Sequence, residues 1–331
     1  MAVATVDIGD FDTFRNSALI AKKYRIANKR KADRYIILYY ANLLLAYYRS
    51  IIYFMSETVN YAQVNGLRLL ETAVQQFGPI FGIDQLESLA EKTSPRSRLR
   101  WAVSALIQSG RLEPLKRGMY VLKNPPPGVE IHPYAVAVAL VQPSVISHWS
   151  ALAHHGFTTQ MPRMVQISVP SKIVTPEMRQ GKAYRPRGRA VWKAAGVEVE
   201  IIHIRPRAFF GHQKIWVSSW NQIAITDPER TALDLVARSE VFGGLPAALD
   251  ILEEILPRLD LHKLVGYGVD YQVGAVIKRL GWCLEKLGVE PNLLTPLQQV
   301  PVRNKTLLDP QAPASAIVNE RWQIIENLRR E

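Results

Sequence analysis

The sequence predicts an α+β protein: a small helical head closed by a β-hairpin, then a larger mixed α/β body with a helical end. Three observations carry this. Apolar residues recur at helical spacing in three segments between residues 66 and 109, and two short apolar runs joined by Lys116-Arg117-Gly118 follow directly. A stiff Asn124-Pro125-Pro126-Pro127-Gly128 stretch then marks a boundary. Beyond it strand-like runs alternate with helical ones, until helices dominate from Asp227 onwards.

The bulk composition allows this plan. The chain has 331 residues, of which 48% are apolar, enough for two domains and a sizeable core. Forty-one Lys and Arg against 29 Asp and Glu leave a formal charge of +12. Such a balance favours a polyanionic partner, nucleic acid before membrane. The single cysteine, Cys283, excludes an intrachain disulfide and fits a reducing, cytoplasmic setting. No Cys/His spacing suits zinc, and neither a metal nor a cofactor is expected.

The N-terminus lacks the basic start of a signal peptide, because Met1 to Asp12 carries three aspartates and no basic residue. Tyr35 to Tyr48 is free of charge but only fourteen residues long, short of the ~20 that cross a bilayer. Such a segment would lie on a membrane or a partner, and the membrane is the lesser reading. Met55 opens a stretch resembling the start of a small bacterial regulator. Residues 1–54 are therefore expected to be an extension from a misassigned start, with residues 55–125 the head and 129–331 the body.

In the head, Leu67, Leu70, Val74 and Phe77 space one helix, and Leu86, Leu89 and Ala90 a second. Thr93-Ser94-Pro95 starts a third, with Ser94 as cap and Pro95 at the first position, and Gly110 ends it. Arg111 to Leu115 and Met119 to Leu122 read as strands joined by a tight turn. Three helices and a hairpin give the order of an N-terminal winged helix-turn-helix. In the body, Tyr134–Val141 and Ser147–His155 read as helices, and Val165–Val169, Val197–Ile204 and Ile223–Ile225 as strands. Asp227–Arg238, Leu245–Leu256 and Tyr271–Leu287 are the expected late helices.

The third helix holds the best candidate site. Leu99, Ala102, Val103, Leu106 and Ile107 fall on one stripe, which must be core. The opposite face carries Ser97, Trp101, Ser104 and Gln108, flanked by Arg98 and Arg100, with Arg96 in the first turn. These groups hydrogen-bond base edges and phosphates, as recognition helices do in the major groove. From Glu91 to Arg117 seven basic residues face two acidic ones, and Lys116 and Arg117 at the hairpin tip are candidates for phosphate or minor-groove contact. A second basic block, Arg163 to Lys214, has eleven basic residues against three acidic. Its centre, Arg179, Lys182, Arg185, Arg187 and Arg189, is either a second nucleic-acid surface or a solvated loop.

Two segments tempt toward catalysis. Ser147-His148-Trp149-Ser150-Ala151-Leu152-Ala153-His154-His155-Gly156 sets Ser150 and His154 one helical turn apart, but shows no nucleophile elbow, orienting acid or oxyanion hole. Thr226 and Glu229 read as a capping box at a helix start, which explains Asp227, Glu229 and Asp234 without a metal. Cys283, among Leu280, Trp282 and Leu284, reads as a core thiol.

Five segments in order resemble one family, the AbiEi antitoxins of type IV toxin–antitoxin systems. They are Arg117-Gly118-Met119-Tyr120; Ile146-Ser147-His148-Trp149-Ser150-Ala151-Leu152 with His155-Gly156; Ile225-Thr226-Asp227-Pro228-Glu229-Arg230-Thr231-Ala232-Leu233-Asp234; Lys278-Arg279-Leu280-Gly281; and Leu308-Asp309-Pro310. The resemblance spans about residues 66–330. It implies a winged helix that binds inverted repeats in its own promoter, a C-terminal antitoxin domain, and phage defence against a nucleotidyltransferase-like toxin that need not be bound directly. Self-association on DNA and no enzymatic activity follow from the same resemblance. The competing reading is a nuclease-like DNA-processing enzyme that docks through its winged helix.

Overall fold

The computed structural model describes residues 66–89, 96–181 and 188–328. The chain divides into two units, 1–65 and 66–331, and the second contains every described residue. The readings of residues 1–54, Tyr35–Tyr48 and Met55, and the cap at Thr93-Ser94-Pro95, lie outside the described residues.

The head begins with α1, over residues 66–77, which buries Leu70 and Ala73. Then come β1 (Ile80–Gly82), α2 (Ile83–Leu89) and α3 (Arg96–Gln108), followed by the hairpin of β2 (Leu112–Lys116) and β3 (Met119–Leu122). The three strands form an antiparallel sheet in the order β1-β3-β2. Strand β1 was not anticipated, because three residues are too few to show alternation. It exists because pairing with β3 satisfies its backbone, and Leu122 N donates to Pro79 O just beyond it. Phe81, Leu86, Leu99, Val103, Leu106 and Leu112 fill the core of the head. Gly110, at φ +68°, turns the chain out of α3, while Arg111 N bonds back to Leu106 O.

Helix α4 (Pro133–Leu140) is apolar all round and therefore buried. It lies against one face of a six-stranded sheet, β6-β7-β5-β4-β9-β8. These strands are β4 (Val145–Ile146), β5 (Val165–Val169), β6 (Ala190–Ala194), β7 (Val197–His203), β8 (His212–Trp216) and β9 (Gln222–Thr226). Pairs β5–β7 and β4–β9 are parallel and the rest antiparallel. Both faces of β7 are covered. Ile201 packs in the α4 cluster, which also holds Ile80, Leu115 and Val121 of the head. Ile202 packs on the other side, with α5 (His148–His154) and α7 (Pro228–Ala237). The short α6 (Pro176–Arg179) lies between β5 and β6.

After α7 come α8 (Leu245–Ile255), α9 (Leu261–Asp270), α10 (Gly274–Lys286) and α11 (Pro291–Gln299). A small sheet ends the chain, with β10 (Thr306–Leu307) and β11 (Val318–Asn319) on either side of β12 (Ile324–Ile325). The expected helix from Tyr271 starts at Gly274, because Gln272 takes φ +53° and separates it from α9. Helix α9 was not anticipated, since Gly266 and Gly268 suppress its apparent propensity. Gly268 is a packing requirement: a Cβ there would stand 2.6 Å from Leu280 and 2.7 Å from Leu297.

Candidate nucleic-acid interface

Helix α3 divides as its periodicity requires. Leu99, Ala102, Val103 and Leu106 are buried and Ile107 is half-buried, whereas Arg96, Ser97, Arg98, Arg100, Trp101, Ser104 and Gln108 are exposed. Trp101 keeps 57% of its surface exposed, a large apolar group without internal packing. Arg96 makes a surface pair with Glu87 at 3.2 Å. Arg98, Arg100 and Arg117 have no ion-pair partner among the described residues. The hairpin tip turns at Gly118, at φ +74°, and Gly118 O accepts from Ile83 N at 2.8 Å, which fixes the tip against α2. Arg117 is exposed there. Lys116 is drawn inward instead: its Nζ donates to Leu140 O at 3.1 Å, and burial lowers its pKa.

The second basic block does not form one surface. Arg179 is exposed at the end of α6. Lys182, Arg185 and Arg187 lie outside the described residues. Arg189 turns inward, contrary to its expected place on a nucleic-acid track. Its Nε sits 2.6 Å from Glu200 Oε1, with side chains 10% and 3% exposed. Glu200 also accepts from Gln166 Nε2 at 2.6 Å, and Gln166 Oε1 in turn accepts from Trp149 N. Strand β7 needed a cation to bury Glu200, and Arg189 supplies it.

The side chains of the histidine-rich segment are largely taken up in packing and hydrogen bonds. Ser150 Oγ accepts from Gln166 N at 2.9 Å, tying α5 to β5, while His154 is exposed. Trp149 Nε1 donates to Val241 O at 3.0 Å, and His155 Nε2 lies 2.7 Å from Thr226 O. His148 is wholly buried at φ +54°, stacked on Phe242, with Nδ1 2.8 Å from Ser147 Oγ. Burial holds its pKa down to about 4, against a smaller opposite pull from Asp234.

At the start of α7 the expected capping box is replaced. Asp227, not Thr226, caps the helix, accepting from Arg230 N at 2.8 Å, and Thr226 Oγ1 meets Thr231 Oγ1. Glu229 reaches out to Asp260 N and to Lys263 Nζ at 2.7 Å. Lys263 also pairs with Asp227 at 3.0 Å, and Tyr267 donates to Asp227 at 2.8 Å. Burial and the Asp227 bond push the Tyr267 phenol up to about 12. Burial opposes the charge on Lys263, but its bonds to Glu229 and Asp227 outweigh that and raise its pKa. Both acids are thus committed to one lysine. Arg230 is closed on every side, with Asp234, Ala208 O and Phe210 O as partners.

The remaining segments also read as packing. Lys278 donates to Leu297 O and Gln298 O at the end of α11. Arg279 bonds to Val236 O, Leu307 O and Leu308 O. Gly281 lies under the Trp322 ring, and the space is so tight that a Cβ would stand 2.0 Å from it. Asp309 Oδ1 accepts from Gln311 N, holding the turn after the buried Leu308. Cys283 is buried, and burial lifts its thiol pKa to about 12. Lys263, Tyr267 and Glu200 were missed by sequence reasoning. Lys263 and Tyr267 lie on α9, which was not foreseen, and the cation that signals burial of Glu200, Arg189, lies just before β6.

The described residues thus define a mixed α+β protein with an exposed basic helix face on a three-stranded head and a body that encloses Arg189, Arg230, Lys278 and Arg279. Residues 144–286 match the family described as AbiEi antitoxin C-terminal domain, a span that includes three of the five motifs quoted above. Over that span the chain is similar to the C-terminal domain of the AbiEi antitoxins, which supports an antitoxin's role in a toxin–antitoxin system. No curated protein compared with the sequence matches significantly. Among solved structures, the RV2827C protein from Mycobacterium tuberculosis shares the fold, at 17% identity and a TM-score of 0.50, over 79% of this chain and 90% of that one. Among the described residues no helix is long and apolar enough to cross a membrane.

Proposed function

We propose that the chain is a DNA-binding transcriptional repressor and antitoxin of a type IV system, acting in the cytoplasm. The observation that carries the reading is the α3 face, where Arg98 and Arg100 stand exposed beside Trp101, Ser104 and Gln108. The order of α1, β1, α2, α3 and the β2–β3 hairpin, with β1 beside β3, supports a winged helix-turn-helix whose third helix enters the major groove of promoter DNA. Arg117 at the hairpin tip is placed to meet phosphate or the minor groove, and Ser97 and Gln108 lie at the two ends of the α3 face. Paired half-sites of an inverted repeat would take two protomers. The antitoxin role pairs the chain with a nucleotidyltransferase-like toxin, which it need not bind directly. The carboxylates that a nuclease reading would draw on, Asp227, Glu229 and Asp234, are each held by a cation.

A gel-shift titration with the upstream region tests this. Each bidentate arginine–base contact is worth about 1–3 kcal/mol, so Arg98→Ala with Arg100→Ala should weaken promoter binding at least roughly tenfold. Unchanged affinity would discard the α3 face. Metal-dependent cleavage of plasmid DNA by the intact chain would favour the nuclease instead.

A further inference from the structure

Among the described residues strand β8 ends the six-stranded sheet and pairs only with β9, in the register His212↔Thr226, Lys214↔Ala224 and Trp216↔Gln222. Alternate residues of a strand share a face, so His212, Lys214 and Trp216 stand together. All three are exposed, whereas Ile215 and Val217 on the other face pack toward the core. Trp216 keeps 66% of its surface exposed, and its indole N–H has no partner among the described residues. Its direct cross-strand neighbour is Gln222, which is exposed too, and Ala224 lies diagonally across. Along the chain the neighbouring charge has one sign. No Asp or Glu occurs between residues 201 and 226. The connection from β7 to β8 carries Arg205 and Arg207, both exposed. The nearest acid in sequence, Asp227, is taken up by Lys263, Tyr267 and the start of α7.

We propose that this face of the β8–β9 ribbon is a stacking platform for single-stranded nucleic acid, with Trp216 under a base and Lys214, Arg205 and Arg207 along the phosphates. An exposed aromatic interleaved with cations on a flat strand face is the arrangement that holds unpaired bases without reading sequence. Duplex DNA presents no free base face to Trp216, so the platform is separate from the α3 surface and does not depend on it. Edge-to-edge pairing with a second copy suits the strand poorly. An antiparallel pair centred on Lys214 would set two lysines opposite each other, and a lysine on an edge strand works against such pairing.

Fluorescein-labelled oligo(dT) and oligo(rU) about ten nucleotides long, titrated with the intact chain and read by anisotropy, test the proposal. Both should bind, and the affinity ratio names RNA or DNA as the preferred source. Trp216→Ala should weaken binding about tenfold, while Trp216→Phe recovers most of it. Lys214→Ala should make the slope of log affinity against log salt shallower by about 0.7. The thermal midpoint should not move in any of these variants, because the side chains are exposed, and promoter-duplex binding should be unaffected. Arg98→Ala with Arg100→Ala should leave oligonucleotide binding in place. The proposal is overturned if the wild-type chain binds neither oligonucleotide, if Trp216→Ala binds as tightly as wild type, or if the loss of binding coincides with a dimer becoming a monomer in sedimentation.

Discussion

On α3 the guanidinium groups of Arg98 and Arg100 meet only solvent among the described residues, whereas in α7 the guanidinium of Arg230 is enclosed. Two nitrogens of Arg230 bond to Asp234 Oδ1 at 3.1 and 2.9 Å, a third reaches Ala208 O and Phe210 O, and the Phe210 and Tyr271 rings lie 5.1 and 5.5 Å from its centre. The residue type is the same and so is its formal charge. The difference lies in what each would leave behind if removed. Deleting an exposed arginine exposes nothing new, while deleting Arg230 strands a carboxylate and two carbonyls in the core. Charge counted along a sequence therefore says little about binding until burial is known. Arg189, Lys278 and Arg279 all add to the +12 total, yet each is spent inside the body.

The largest effect should come from Arg230. Arg230→Leu leaves Asp234 buried and uncompensated, at a cost of about 3–5 kcal/mol. Adding Asp234→Leu should recover much of that loss, because the stranded charge goes with it. Urea unfolding of the single and double variants checks this. A single-variant loss below about 1 kcal/mol would mean that the core around α7 is wetter than its packing suggests.

His148 brings the same logic to pH. Its folded pKa, about 4, lies below its ordinary value of 6.5. The unfolded chain therefore takes up a proton first as pH falls, and stability drops from pH 6.5 until the folded site protonates near pH 4. The loss over that window should be about 3 kcal/mol. His148→Asn, which tolerates the positive φ of this position, should flatten the curve there. An equal acid slope in the variant would assign the loss to other groups.

Smaller still is Gly281→Ala. The added methyl must push the Trp322 ring away from α10, and overpacking of this kind costs about 1–3 kcal/mol. A helical Gly→Ala change normally stabilises, so a loss would show that the glycine is kept for packing. A gain would remove that explanation of the Lys278-Arg279-Leu280-Gly281 segment.

Sequence patterns made these elements unequally legible. Helix α3 was readable because its buried and exposed residues alternate at one period, with nothing else competing for its outer face. Strand β5 was readable from Val165, Ile167 and Val169 at alternate positions, although Gln166 and Ser168 between them are buried as well. Helix α9 was hidden by two glycines, one of which is there only because Leu280 and Leu297 crowd it. Edge strand β8 was hidden because its exposed residues show no apolar alternation. The inward turn of Arg189 could not be read from its neighbours, because its partner Glu200 lies eleven positions away on β7. Local period is written in the sequence, while pairing across strands is settled only by the sheet.

The smallest stability effects should fall on the outer face of the head, and there the comparison is sharpest. Arg96 pairs with Glu87 while 78% of its side chain remains exposed. A pair so open to solvent contributes between 0 and about 1 kcal/mol. Arg98 and Arg100 lack even that, so replacing both with Ala should move unfolding free energy by no more than about 0.5 kcal/mol. The same pair of changes is expected to cost promoter binding at least roughly tenfold. A substitution silent in the melt and loud in the titration marks a surface held for a partner, while Arg230 should behave in the opposite way. Urea unfolding and gel-shift titration of one preparation of each variant would set the four numbers side by side. If Arg98→Ala with Arg100→Ala lowered the melting midpoint as much as Arg230→Leu does, these arginines would be packing groups and the division between head and body would fail.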